Sequence, residues 1–347
     1  MQPRQAIFIT LLTFGLAACA SVAGLPGGSG PTAVPAPADV RGDTRAHDPC
    51  LIHAGDAYYV FSTGDEKGIG GGSIQIRRSK DMAEWELVGT VFERTPEWVA
   101  RELGGWPPNL WAPDIALVNG TFYLYYVGST FGSNNSVIGL ATNTTLDPAS
   151  PDYKWVDHGM VLRSISSNDW NAIDPSLVSD ADGGMWLVFG SYWSGIKLRK
   201  IDAATGMLDK ADTQLYSLAS RGGGAVEAPS IVERKGYYYL FVSFDFCCRG
   251  AASNYNIRVG RAEKITGPYV DKEGTQMLGG GGTKILGNYA LLRGPGGQTV
   301  RHEDSADTYR MIYHTYDIQN FGLPKLQIRD LQWDAQGWPV VPNIPQK

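Results

Sequence analysis

The stretch Ile173-Asp174-Pro175-Ser176-Leu177, followed by Gly184-Met185-Trp186-Leu187-Val188-Phe189, decides the fold, because the chain repeats its form. His47-Asp48-Pro49-Cys50-Leu51-Ile52 leads into Gly55-Asp56-Ala57-Tyr58-Tyr59-Val60-Phe61, and Trp111-Ala112-Pro113-Asp114-Ile115 into Gly120-Thr121-Phe122-Tyr123-Leu124-Tyr125-Tyr126. Glu227-Ala228-Pro229-Ser230-Ile231 leads into Gly236-Tyr237-Tyr238-Tyr239-Leu240-Phe241, and Gly294-Pro295-Gly296-Gly297 into Tyr309-Arg310-Met311-Ile312-Tyr313-His314. Each unit is a Pro-headed strand, a turn and an aromatic strand. The shared prolines Pro49, Pro113, Pro175, Pro229 and Pro295 are 64, 62, 54 and 66 residues apart, room for four short strands each. One such sheet cannot bury both faces alone and must stack on neighbours, so five units predict an all-β, five-bladed β-propeller. This recurrence overrides the two-domain prior that 347 residues would suggest, and a β-sandwich would not explain it.

Composition agrees. There are 43 glycines, well above the ~7% of an average chain, and they follow no G-X-Y period. With 17 Tyr and 10 Trp they read as turns between many short strands. Helical periodicity is weak and confined to residues 80–103. A net charge of -5 without a basic block argues against a nucleic-acid partner.

Residues 1–18 read as an export signal: Arg4, then a short apolar run from Ala6 to Ala18. Leu16-Ala17-Ala18-Cys19 resembles a bacterial lipobox, whose cysteine becomes a lipidated N-terminus; an ordinary cleavage site containing Cys is the alternative. Residues 19–40, rich in Gly, Pro and Ala, suit a tether, leaving 41–347 as the catalytic propeller. The expectation is an exported monomer, touching membrane only through Cys19, on the outer membrane of a Gram-negative cell. In that oxidising space adjacent Cys247 and Cys248 can form a vicinal disulfide, with Cys50 unpaired and buried. No C-x-x-C pair or His-rich cluster suggests zinc.

The innermost strands of a propeller run along its axis, so equivalent positions converge at one mouth. Asp48 and Asp174 directly precede the shared proline and Glu227 sits two before it; three carboxylates would line one pocket and sort into base and acid. Ala112, Ala228 and Gly294 in the other blades, with Gly190, Gly195, Gly296 and Gly297, would leave room for a ligand. An acidic pocket disfavours phosphate or carboxylate substrates, and Trp111, Phe131, Tyr192, Trp193 and Phe244 could stack on sugar rings. Asp114 follows its proline, so alternation turns it away from the other carboxylates.

These residues resemble glycoside hydrolase family 43, most closely its endo-α-1,5-L-arabinanases. The resemblance runs from about Ala46 to Pro339 and rests on His47-Asp48-Pro49, Asn109-Leu110-Trp111-Ala112-Pro113-Asp114, Asn171-Ala172-Ile173-Asp174-Pro175-Ser176-Leu177, Gly190-Ser191-Tyr192-Trp193-Ser194-Gly195-Ile196 and Val226-Glu227-Ala228-Pro229. Phe244-Asp245-Phe246-Cys247-Cys248 and Tyr255-Asn256-Ile257-Arg258-Val259-Gly260-Arg261 are similar to the arabinanase subgroup in particular. The resemblance implies inverting hydrolysis of arabinan, linear or debranched, with Asp48 as general base, Glu227 as general acid and Asp174 tuning the acid. Inversion asks for base and acid ~6.5–9.5 Å apart, which different blades can supply. Substrate contacts are expected from His47, Trp111, Phe131, Asn171, Gly190, Ser191 and Tyr192. Such enzymes often carry Gly-Pro-Gly-His in the fifth blade, where the His helps hold an axial calcium ion; here Gly297 replaces it, His314 is the remaining metal candidate, and no cofactor is expected for the chemistry. The competing readings are an exo-arabinanase, α-L-arabinofuranosidase or β-xylosidase on the same scaffold, and a non-catalytic glycan-binding propeller.

Overall fold

The computed structural model describes residues 35–37, 39–303 and 307–344; the export signal, Cys19 and most of the tether lie outside them. The first blade is β2 (Cys50–Ala54), β3 (Ala57–Ser62), β4 (Gln75–Ser79) and β5 (Glu84–Thr90), preceded by β1 (Arg41–Gly42), which pairs parallel with β5. The second is β6 (Trp111–Val118) to β9 (Val156–Ser164), with β7 (Thr121–Ser129) and β8 (Ser136–Asn143) between them. The third comprises β10 (Ser176–Ser179), β11 (Met185–Phe189), β12 (Ile196–Ile201) and β13 (Tyr216–Ala219); the fourth β14 (Val226–Arg234), β15 (Tyr237–Phe244), β16 (Asn256–Ala262) and β17 (Thr283–Leu286). The fifth has three strands, β18 (Leu292–Glu303), β19 (Thr308–Asp317) and β20 (Leu323–Asp330), rather than the expected four. A ribbon of β21 (Gln332–Trp333) and β22 (Pro339–Val340) follows it.

Alternation along each strand explains the stacking. On β7, Leu124 and Tyr126 face the first blade in a cluster with Tyr59, Phe61 and Ile76, while Tyr125 and Val127 face the third with Leu187 and Phe189. Further clusters join the third blade to the fourth around Val188 and Leu240, and the fourth to the fifth around Phe241, Met311 and Trp338. The ring closes between fifth and first, where Ile312, Leu326 and Ile328 meet Val60, Met82 and Trp85. The N-terminal segment staples this seam: the Ala36 amide donates to Asp330 at 2.7 Å and the Leu326 amide to the Thr44 carbonyl at 2.8 Å. The helical signal resolves into α1 (Glu97–Leu103), with Glu97 in its first turn, Arg101 in its last and left-handed Gly104 ending it.

The residue before every shared proline is left-handed: Asp48 (φ 48°), Ala112 (37°), Asp174 (56°), Ala228 (51°) and Gly294 (53°). Proline has no N–H to give the ladder, and the register of β6, β14 and β18 shifts at this point, whereas β2 and β10 begin directly after it. The left-handed residue's own N–H goes to the preceding blade in three cases: Asp48 to His314 Nδ1 (3.1 Å), Ala112 to Thr63 Oγ1 (2.9 Å) and Ala228 to Asp174 Oδ2 (2.9 Å). Antiparallel pairing puts every connector entering an inner strand, and every turn from second to third strand, at the same end of the ring. That end is the mouth.

Asp114 does turn away, but not by alternation, which would set the residues on either side of a proline on one face: left-handed Ala112 and the register shift between Trp111 and Asp114 turn it. Fully buried, it accepts the Leu177 amide of the third blade at 2.8 Å and pairs with Arg301 of the fifth, whose guanidinium also reaches the Ile115 carbonyl at 3.2 Å. Asp114→Ala strands a largely buried guanidinium, and chemical denaturation should show a loss of roughly 3–5 kcal/mol. A loss below about 1 kcal/mol would contradict the structural role.

Candidate active site

Asp48, Asp174 and Glu227 meet at the mouth, each delivered by the left-handed turn of its own blade. Asp48 Oδ2 receives two donors, His47 Nδ1 at 2.7 Å and Thr63 Oγ1 at 2.8 Å. Oδ1 lies 3.7 Å from His314 Nδ1 and keeps its accepting capacity for water. Burial alone would raise the Asp48 pKa, but the charge and hydrogen bond of His47, with His314 and Thr63, pull it down to about 2. His47 moves the other way: burial lowers its pKa, and Asp48 together with Glu227 outweighs burial and leaves it raised.

Glu227 is 8% exposed. Ser191 Oγ donates to its Oε2 at 2.6 Å, and the Tyr255 hydroxyl donates to its Oε1. Burial pushes its pKa up to about 7; the Ser191 bond and His47 oppose the rise, and the Asp48 charge adds to it. Asp174 sits well above the carboxylate range through burial and the charges of Glu227 and Asp48, although the Ala228 N–H stabilises its anion. At neutral pH the environment therefore leaves Asp48 ionised and lets Glu227 hold a proton, the asymmetry that acid–base chemistry requires.

Several residues expected to touch substrate serve the protein instead. His47 gives Nδ1 to Asp48 and Nε2 to Tyr316, so neither nitrogen is left for a sugar. Asn171 is buried, its Oδ1 accepting from Ser136 at 2.7 Å and its amide facing the Ser133 carbonyl. Ser191 is buried and spends its hydroxyl on Glu227. Gly190 does not open space: a Cβ there would lie 2.6 Å from the Gly195 carbonyl oxygen, so glycine permits close packing of backbone. The same holds at Gly195, Gly294, Gly296 and Gly297, where the nearest atom would be 2.7 Å away or closer. Phe244 is core, with the guanidinium groups of Arg221 and Arg258 over its ring. Half-buried Trp111 at the start of β6, whose Nε1 is held by Asn109 Oδ1 at 2.9 Å, and, on mouth connectors, partly buried Tyr192 and Phe131, 79% exposed, remain where they can meet a sugar.

A metal fits this arrangement poorly. His47, Asp48 and His314 bring ligand atoms within 4.8 Å of one another, but the Asp48 N–H occupies the His314 Nδ1 lone pair. The His314 proton then sits on Nε2, which is buried without an acceptor among the described residues, and burial and His47 keep the ring neutral. An N–H cannot ligate a cation, and calcium wants six to eight oxygens. At Gly297 a Cβ would come 2.4 Å from Asp48 Oδ1 and 2.7 Å from His314, so no histidine fits there. His314, singled out as a metal ligand, is instead the support of the Asp48 backbone.

Sequence reasoning gave no role to Thr63, Tyr255 or Tyr316. Tyr316 was within reach: it lies two residues from His314 on β19, hence on the same face. Tyr255 and Thr63 occupy ordinary loop and strand-end positions, and only tertiary structure brings them to the carboxylates.

The cysteines behave as expected: Cys247 and Cys248 are bonded, and Cys50 is free and buried. The description "Glycosyl hydrolases family 43" covers the family model that matches residues 42–339. An extracellular endo-α-(1→5)-L-arabinanase of Bacillus subtilis is 44% identical over 84% of this chain and 86% of its own. An extracellular exo-α-(1→5)-L-arabinofuranosidase of Cellvibrio japonicus is 40% identical, over 85% and 86%. A solved α-L-arabinanase of Cellvibrio cellulosa in complex with arabinohexaose superimposes with TM-score 0.79 at 38% identity, covering 86% and 95%. In protein labelled with 13C at glutamate carboxyls, one resonance should titrate near pH 7 and vanish in Glu227→Gln; a midpoint near the usual ~4.3 would contradict the site's electrostatics.

Proposed function

This chain belongs to glycosyl hydrolase family 43, and from that premise we propose that it cuts α-1,5-linked arabinan internally, by inversion, with Asp48 as general base and Glu227 as general acid. The observation that carries the roles is the opposed surroundings of the two groups: Asp48 accepts from His47 and Thr63, while Glu227 is buried against Ser191 and Tyr255. Asp48 Oδ1 takes a proton from water as the water oxygen attacks the anomeric carbon. Glu227 gives its proton to the glycosidic oxygen as that bond breaks on the opposite side. Asp174 holds the Ala228 N–H, one residue from the acid, and is itself kept from ionising by burial and the charge of Glu227. Hydrolysis by two carboxyl groups and water asks for no cofactor.

Linear or debranched arabinan as substrate is supported by the Bacillus relative and by the arabinohexaose complex of the Cellvibrio cellulosa enzyme. The Cellvibrio japonicus relative favours a second reading, exo action on the same polymer. Export is supported by the extracellular relatives, and the Leu16-Ala17-Ala18-Cys19 stretch supports a lipid-held protein on the outer membrane.

Glu227→Ala should lower release of arabino-oligosaccharides by at least ~100-fold on linear arabinan; full activity would sink the mechanism. Early products should be mixed long oligomers, whereas one short product from the first minutes would mean exo action. The acid must be protonated, so kcat/KM should fall as pH rises through about 7, with no matching acid limb until about 2. Ser191→Ala removes a donor that favours the Glu227 anion and should move the alkaline limb upward; a downward shift would contradict the assignment.

A further inference from the structure

We propose that the Cys247–Cys248 disulfide and Tyr316 are positioning groups for the catalytic base, acting through His47; this rests on Asp48 being that base. The connection is continuous. Cys248 lies on the mouth connector between β15 and β16, and its backbone N–H donates to the Tyr316 hydroxyl oxygen at 2.8 Å. The same hydroxyl is 2.7 Å from His47 Nε2, and His47 Nδ1 is 2.7 Å from Asp48 Oδ2. Cys248 Sγ also lies 3.8 Å from His47 Nε2, so the disulfide flanks the imidazole edge while His314 stacks on its face at 3.8 Å.

The relay works in both charge states of His47. With His47 neutral, the Cys248 amide fills one lone pair of the Tyr316 oxygen and the phenolic proton goes to Nε2, which puts the imidazole proton on Nδ1, aimed at Asp48. With His47 charged, the phenolic oxygen accepts from both Nε2–H and the Cys248 amide, and its own proton turns toward Cys248 Sγ at 3.9 Å. Either way Nδ1–H pins Oδ2, and Oδ1 is the oxygen presented to water.

The disulfide is what makes the Cys248 amide dependable. Cys248 is exposed and left-handed (φ 64°), a conformation a side-chain-bearing residue rarely holds unaided, and the cross-link to Cys247 restrains it. The connector is braced on either side, the Phe246 amide on Asn254 Oδ1 and the Arg249 amide on Ser253 Oγ, each at 3.0 Å. Tyr316 is 3% exposed and needs only its hydroxyl for this role.

The test is a set of variants assayed for kcat and KM on linear arabinan. Tyr316→Phe should lower kcat about tenfold with KM within about twofold, since the lost group never touches sugar. Cys247→Ser/Cys248→Ser should lower kcat about threefold to tenfold. The triple variant should be no worse than Tyr316→Phe, because one relay cannot be broken twice. A water-soluble phosphine, which the disulfide oxidises to its oxide with the oxygen and the two thiol protons coming from water, should reproduce the cysteine loss in the wild type and leave Tyr316→Phe unchanged. A Tyr316→Phe enzyme with wild-type kcat, beside an inactive Asp48→Asn, would overturn the relay, as would losses that multiply in the triple variant. An active Asp48→Asn would instead overturn the base assignment itself.

Discussion

The left-handed residue before each inner-strand proline is the constraint on which this molecule turns. A non-glycine residue there costs about 1–2 kcal/mol, and a following proline narrows its options further. Four of the five positions carry a side chain, two of them aspartate, whose short polar group tolerates this region better than most. The conformation persists because neighbours demand it: the amide of Asp48, Ala112 or Ala228 is bonded by the preceding blade. One local device thus interrupts the ladder, ties blade to blade and aims side chains into the mouth. The strain is offset by blade-to-blade burial around a closed ring.

Electrostatics then follows from crowding. Three carboxyl groups crowded into one mouth, one buried and two half-buried, cannot all be ionised, so the sites diverge. Asp48 takes the charge because His47 and Thr63 stand beside it, and Glu227 and Asp174 are pushed the other way. Deep in the ring burial pushes Asp114 up as well, but Arg301 and a backbone amide oppose the rise, and the carboxyl group holds three blades together. Two aspartates on either side of a proline position thus serve opposite purposes, because the left-handed residue and the break in register there undo the ordinary alternation.

Much of this was legible in the sequence. The Pro-headed repeat carried the five blades, and the offset of Asp48, Asp174 and Glu227 from their prolines carried the three carboxylates. What was not legible is which blade supplies the neighbour of each. His47, Ser191 and Asn171 read as sugar ligands because they are polar and flank the motifs; their partners Tyr316, Glu227 and Ser136 lie 269, 36 and 35 residues away, where no local pattern reaches. The glycines read as open space for the same reason, although at Gly297 the missing side chain is what lets Asp48 and His314 approach. The three-stranded fifth blade escaped because ring closure through Ala36 and Thr44 leaves no periodic signature.

The central claim is that Asp48 delivers water to the face of the sugar opposite the oxygen protonated by Glu227. The anomeric configuration of freshly released product tests it most directly, by proton NMR in the first moments of hydrolysis before mutarotation. The account predicts β-arabinofuranose from an α-linked substrate; α-arabinofuranose as the first product would contradict it.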